Sequence, residues 1–144
     1  MKQQLCRIYV VKSPLIGAPK YFPKLHHSVV IQQPTSVSLQ LFDVIPENPT
    51  STDTLLSMIM GDAVPAVPRC RQLSNKIKLT KRDLVACVIV EYDTAVLEAA
   101  RMFQNEYFSG LDGARMGLYR NNCVHFCTSL VEYLLEEFPT VVEW

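Results

Sequence analysis

The chain has 144 residues, 49% of them hydrophobic, with 14 Lys and Arg against 14 Asp and Glu. That length fits one domain spanning residues 1–144, and the balanced charge argues against a nucleic-acid partner, which selects a basic surplus. The longest uninterrupted apolar run, the seven residues 84–90, is far short of the ~20 needed for a transmembrane segment. Nothing at the amino terminus has the apolar core of a signal peptide. Five cysteines form neither the close pairs of a disulfide scaffold nor those of a structural zinc site, which suits a reduced, cytoplasmic domain.

In chain order, residues 7–11 (RIYVV) form a β-branched and aromatic run expected as a first strand. Pro14, Gly17, Pro19 and Pro23 then break any regular element. Residues 27–32 and 37–44 are expected as a strand hairpin turning at residues 33–36. Residues 51–60 predict a short helix, capped by Ser51, Thr52 or Asp53 and terminated by Gly61. Residues 64–74, with two prolines, read as irregular. Residues 76–80 and 84–92 are expected strands, the second apolar on both faces and so central. A helix capped by Thr94 is expected to run to about Tyr107, burying Val96, Leu97, Ala100 and Phe103. Residues 118–120 make a further short strand. The last helix, capped by Asn121 or Asn122, runs to about Glu137 with a buried stripe of Phe126, Leu130, Val131 and Leu134. Mixed order of helices and strands predicts an α+β fold.

The chemistry concentrates in Asn121-Asn122-Cys123-Val124-His125-Phe126-Cys127. A cysteine in the first turn of a helix faces unpaired N–H groups and a partial positive charge, which favour a thiolate. The same N–H groups serve as an oxyanion hole when sulfur attacks a carbonyl. A thiol nucleophile also needs a base, and the histidines are His26, His27 and His125. His125 lies roughly 200° around the helix from Cys123, so it points away and reads as structural. His26 and His27 begin an expected strand, whose alternation sends them to opposite faces.

His26-His27-Ser28-Val29-Val30-Ile31 resembles the histidine strand of permuted papain-fold enzymes: histidine, any residue, a small residue, then three apolar ones. Asn122-Cys123-Val124-His125-Phe126 resembles their cysteine helix, with Tyr119 four residues ahead of the cysteine. Both the lecithin:retinol acyltransferase family and the PPPDE family of deSUMOylating isopeptidases share this layout. Histidine precedes cysteine, the order that circular permutation of the papain fold implies. The resemblance implies a small antiparallel sheet packed on the cysteine helix. It also implies a thiol hydrolase in which Cys123 attacks an amide, isopeptide or ester carbonyl. His26 moves the proton and an acyl-thioester forms. Ser38 or Gln40 would orient His26, and Asn122 or Tyr119 would join the Cys123 N–H around the oxyanion. No cofactor is implied.

The chain departs from both families. Ser38 stands where acyltransferase relatives often have a second histidine, the carboxy-terminal membrane helix is missing, and so is the Glu-Tyr-x-Phe-Gly stretch of the isopeptidases. A lipid or small-molecule acyltransferase therefore stands as the alternative, beside a non-catalytic interaction module or an enzyme turned to a non-hydrolytic rearrangement. Cys123 and Cys127, one turn apart, would approach a zinc site with His26 or His27. No fourth ligand is evident, and no metal is expected. Cys6, Cys70 and Cys87 read as apolar filler.

Overall fold

The computed structural model describes residues 4–14, 26–34, 39–73, 83–109, 115–116 and 123–143. Among them, seven strands run antiparallel in the order β6-β4-β3-β2-β1-β5-β7. These are β1 (Leu5–Ser13), β2 (His26–Gln32), β3 (Leu39–Pro46), β4 (Val64–Leu73), β5 (Leu84–Glu91), β6 (Arg115–Met116) and β7 (Thr140–Glu143). Three helices accompany them: α1 (Thr52–Ile59), α2 (Val96–Tyr107) and α3 (Cys123–Glu137). The fold is α+β, and the sheet is larger than expected.

Apolar alternation builds the core. Ile8, Val10, Val29, Ile31, Phe42 and Val44 project from neighbouring strands into one cluster with α2 and α3. Val11, Val30, Leu39 and Leu41 form a second cluster, as the period of two requires. The expected hairpin exists, with Val29 opposite Phe42 and Val30 opposite Leu41, and α3 packs on β2 and β3. Phe126, Leu130 and Leu134 are wholly buried, while Val131 packs at the margin. Ring contacts tie α2 to α3: Phe103 stacks on Tyr133 with centroids 4.9 Å apart, and Tyr107 meets Phe126 at 5.5 Å.

The helix ends mostly follow local rules. Ser51 caps α1 by accepting from the Thr54 N–H at 3.5 Å. At its other end Gly61, at φ +90°, turns the chain so that the Asp62 N–H reaches the Ser57 carbonyl at 2.9 Å, a closure that favours glycine. Thr94 is not the cap of α2. Ala95 holds that position without a side-chain bond, and Asp93 Oδ1 accepts from the Ala95 N–H at 2.8 Å.

The expectation of irregular chain over 64–74 is also corrected. Val64–Leu73 is a ten-residue strand, and its partners are β3 along its length and β6 over two residues. Proline lacks the ladder donor and is confined in sheets to positions such as this one near an edge. β5 is paired on both sides, by β1 and β7, but it is not buried on both faces, since Val85 is half exposed. Neither β6 nor β7 was evident from pattern, being short. The expected strands at 76–80 and 118–120 lie outside the described residues.

Because Leu130 is completely enclosed between α3 and the sheet, Leu130→Ala is expected to cost about 3 kcal/mol, within the usual range for a buried leucine. Urea denaturation measures it; a loss under ~1 kcal/mol would show that α3 is not docked as described.

Candidate active site

β2 begins at His26 and α3 begins at Cys123, so docking α3 on β2 brings the two together. Cys123 is 5% exposed, at the first helical position. Its sulfur accepts the His27 backbone N–H at 3.3 Å and hydrogen-bonds the His26 side chain. The His26 Nε2 makes a 2.8 Å bond to Asp43 Oδ2. With Nε2 engaged by the carboxylate, Nδ1 is the ring atom left for sulfur. His26, Cys123 and Asp43 thus form a linked set drawn from β2, α3 and β3.

Asp43 is 1% exposed and does not stand alone. Arg69 Nε donates to Asp43 Oδ1 at 2.8 Å, and Arg69 Nη2 donates to Oδ2. The two residues sit directly opposite in the β3–β4 register. Behind them, Gln104 of α2 donates through Nε2 to the carbonyls of Asp43 at 3.1 Å and Arg69 at 2.8 Å. No buried side-chain polar atom among the described residues lacks a partner.

The charges respond accordingly. Burial by itself would depress the His26 imidazole, but the bonds to Asp43 and Cys123 outweigh it and raise the pKa to about 9. Burial would raise the Asp43 carboxyl, yet the bonds from His26 and Arg69 hold it below its ordinary value. His27 moves the other way, lowered by burial and by the positive His26 and Lys12 nearby.

A pocket of about 80 Å³ takes in Cys123 and His26. Apart from these two and Thr54, its lining is hydrocarbon, including Ile45, Leu55, Met58, Ile59 and Met116. Leu55 and Ile59 are each about half exposed, so the apolar lining continues onto the outer surface of α1. Leu56 and Met60 extend that surface.

The structure brings His26 and Cys123 together and separates the rest. Gln40 does not orient His26: its Oε1 accepts from Cys70 Sγ at 3.8 Å. Three positions from Asp43 on one strand, Gln40 belongs to the opposite face. Ser38, Asn122 and Tyr119 lie outside the described residues. His125 is on the exposed side of α3. Cys70 is exposed rather than core filler, whereas Cys6 and Cys87 are buried. Cys127 lines a different cavity with His27 and Val124, and burial pushes its thiol strongly upward. Among the described residues, no three His, Cys, Asp or Glu side chains gather as a metal-binding group.

Sequence reasoning missed Asp43, Arg69 and Gln104. Asp43 carried a signal, being the one charge in the strand LQLFDVIP; a carboxylate in a buried strand requires a partner. Arg69 was hidden because its strand was not foreseen. Gln104 resembled any polar residue of an amphipathic helix. Comparison with protein-family models, curated proteins and solved structures finds no match.

The elevated His26 pKa has a direction in stability. The folded chain holds this proton more tightly than the unfolded chain, whose midpoint is near 6.5. The resulting stabilisation is complete below about pH 6.5 and is lost as pH rises through about 9. Asp43 contributes oppositely: its stabilisation is present above the ordinary carboxyl value of 3.8 and is lost as pH falls through its lower folded value. The melting temperature is expected to fall between pH 6.5 and 9, with a clearly shallower fall in His26→Gln. Equal slopes in the two proteins would show that His26 holds no excess proton affinity.

Proposed function

We propose that the protein is a cysteine-dependent hydrolase acting on an amide, isopeptide or ester carbonyl. The observation that carries this reading is the linked set Cys123–His26–Asp43, with sulfur at the first turn of α3. In the proposed reaction His26 takes the Cys123 proton and sulfur attacks the carbonyl carbon, placing negative charge on its oxygen. The helix amino terminus favours that charge. Collapse of the adduct expels the leaving group, which receives the proton from His26, and leaves an acyl-thioester on Cys123. Water, deprotonated by His26, then releases the acid. Asp43 holds the ring with Nε2 engaged and Nδ1 toward sulfur, and favours the imidazolium formed at each proton transfer.

A permuted papain-like architecture accommodates this reading. A histidine strand precedes a cysteine helix, and the antiparallel sheet packs on that helix. The five cysteines are all free, in keeping with a reducing cytoplasmic compartment. No described helix is long and apolar enough to cross a membrane. The buried Asp43 bonded to His26 supports the hydrolase reading over a non-catalytic module, which the weak third residue at Ser38 or Gln40 had suggested.

A second reading, acyl transfer from a lipid or small-molecule donor, draws support from the hydrocarbon lining beside Cys123. The two readings differ only in whether water or another nucleophile takes the acyl group.

Incubation with p-nitrophenyl acyl esters and with a ubiquitin-like vinyl sulfone, followed by peptide mass spectrometry, tests the proposal. An adduct on Cys123 is expected, with none on the exposed Cys70. Cys123→Ala should abolish turnover. His26→Ala and Asp43→Asn should each lower it by about 10²-fold or more, the usual worth of a positioned acid–base group. Folded protein with no adduct on Cys123 under any donor, or with adduct formation independent of His26, would sink the hydrolase reading. A product transferred to glycerol or an added amine in preference to water would favour the transferase.

A further inference from the structure

Arg69 does more than a strand-to-strand bridge requires. The backbone ladder already pairs it with Asp43, and Gln104 clamps both carbonyls from α2. Yet its guanidinium also spends two donors on one carboxylate, touching the same Oδ2 that receives His26. The carboxylate is buried, while the guanidinium side chain is 26% exposed and so keeps contact with water.

The charge count gives this arrangement its meaning. When the Cys123 proton moves to His26, the site holds a thiolate, an imidazolium, a carboxylate and a guanidinium, which sum to zero. The transfer itself moves no net charge, so without the guanidinium the buried carboxylate would be uncompensated before it and after it, a costly state relieved by protonating Asp43 or turning it away from His26. Among the described residues, the neighbouring elements offer no substitute. α2 presents the neutral Gln104. The α1 side chains in the pocket are Thr54, Leu55, Met58 and Ile59. Cys127 of α3 remains a thiol, and burial disfavours charge on His27.

We propose that Arg69 is a positioning residue and counter-charge: it fixes Asp43 against His26 and keeps that carboxylate ionised, the state in which it supports the thiolate–imidazolium pair. The assignment rests on the Cys123–His26–Asp43 reading above. It acts through Asp43 and needs no contact with substrate. It also predicts that charge at position 69 matters more than the forked shape of the guanidinium.

The test is the rate of Cys123 alkylation by iodoacetamide at pH 7, relative to glutathione in the same tube, with folding followed by circular dichroism. Arg69→Met is expected to slow labelling about tenfold, since less of the sulfur is held as thiolate by His26. Arg69→Lys, which keeps the charge, should stay within about threefold of the parent. The double variant Asp43→Asn/Arg69→Met should label at the rate of Arg69→Met, because Arg69 acts through Asp43. A purely structural Arg69 would make the double variant the slowest. Folded Arg69→Met at the parent rate, Arg69→Lys as slow as Arg69→Met, or a double variant slower than Arg69→Met would each overturn the assignment. Where Arg69→Met does not fold, Arg69→Lys decides: a rate near the parent's supports the counter-charge and a tenfold loss overturns it. His26→Ala separates the two levels. If it labels like the parent, the Cys–His reading has failed; if it slows while the Arg69 variants do not, only the counter-charge has failed.

Discussion

A carboxylate removed from water costs several kcal/mol unless donors replace its hydration, and Asp43 meets that requirement with His26 on one side and Arg69 on the other. Much of the local architecture serves this single demand. β3 must lie between β2 and β4 for the carboxylate to reach both partners, and the sheet order places it there. The register must set Asp43 opposite Arg69, and it does. A one-residue slip of β4 would send the guanidinium to the other face. Gln104 then fixes the same register from above, since its amide bonds both carbonyls at once.

Docking of α3 makes the second demand. Its first residue carries the sulfur, so any tilt of the helix moves Cys123 relative to His26. Three wholly buried side chains at the 4 and 8 spacings, Phe126, Leu130 and Leu134, hold it to the sheet. The Phe103–Tyr133 and Tyr107–Phe126 contacts hold it to α2. The His27 N–H bonded to sulfur adds a direct link between the strand end and the helix start. α2 therefore supports the site at two points, through Gln104 to the sheet and through its rings to α3.

What the sequence disclosed follows the physics of each feature. The cysteine helix was legible because stripe and period agree over fifteen residues. His26 was legible through strand alternation and the spacing of a small residue and three apolar ones after it. Asp43 was not taken up, although a lone carboxylate among Leu41, Phe42, Val44 and Ile45 is a conflict that only a partner resolves. That partner could not be named, because Pro65 and Pro68 disguise β4 and the pairing of residues 26 positions apart has no local signature. Gln40 was named for its nearness to Ser38, the position of the second histidine in acyltransferase relatives, where the parity of strand positions decides.

The same prolines bear on the outer side of β4. Beyond the two residues paired to β6, the outer side of β4 meets no other described strand. A bare strand rim is a template for joining a neighbouring molecule's sheet and, from there, for fibrous assembly. Pro68 presents no amide hydrogen on that strand, and the exposed Arg71 places a charge on it, so an added strand would lose a ladder bond and meet a cation. The strand that carries the Arg69 partner of Asp43 on one face is thus, at Pro68, a poor template for a further strand.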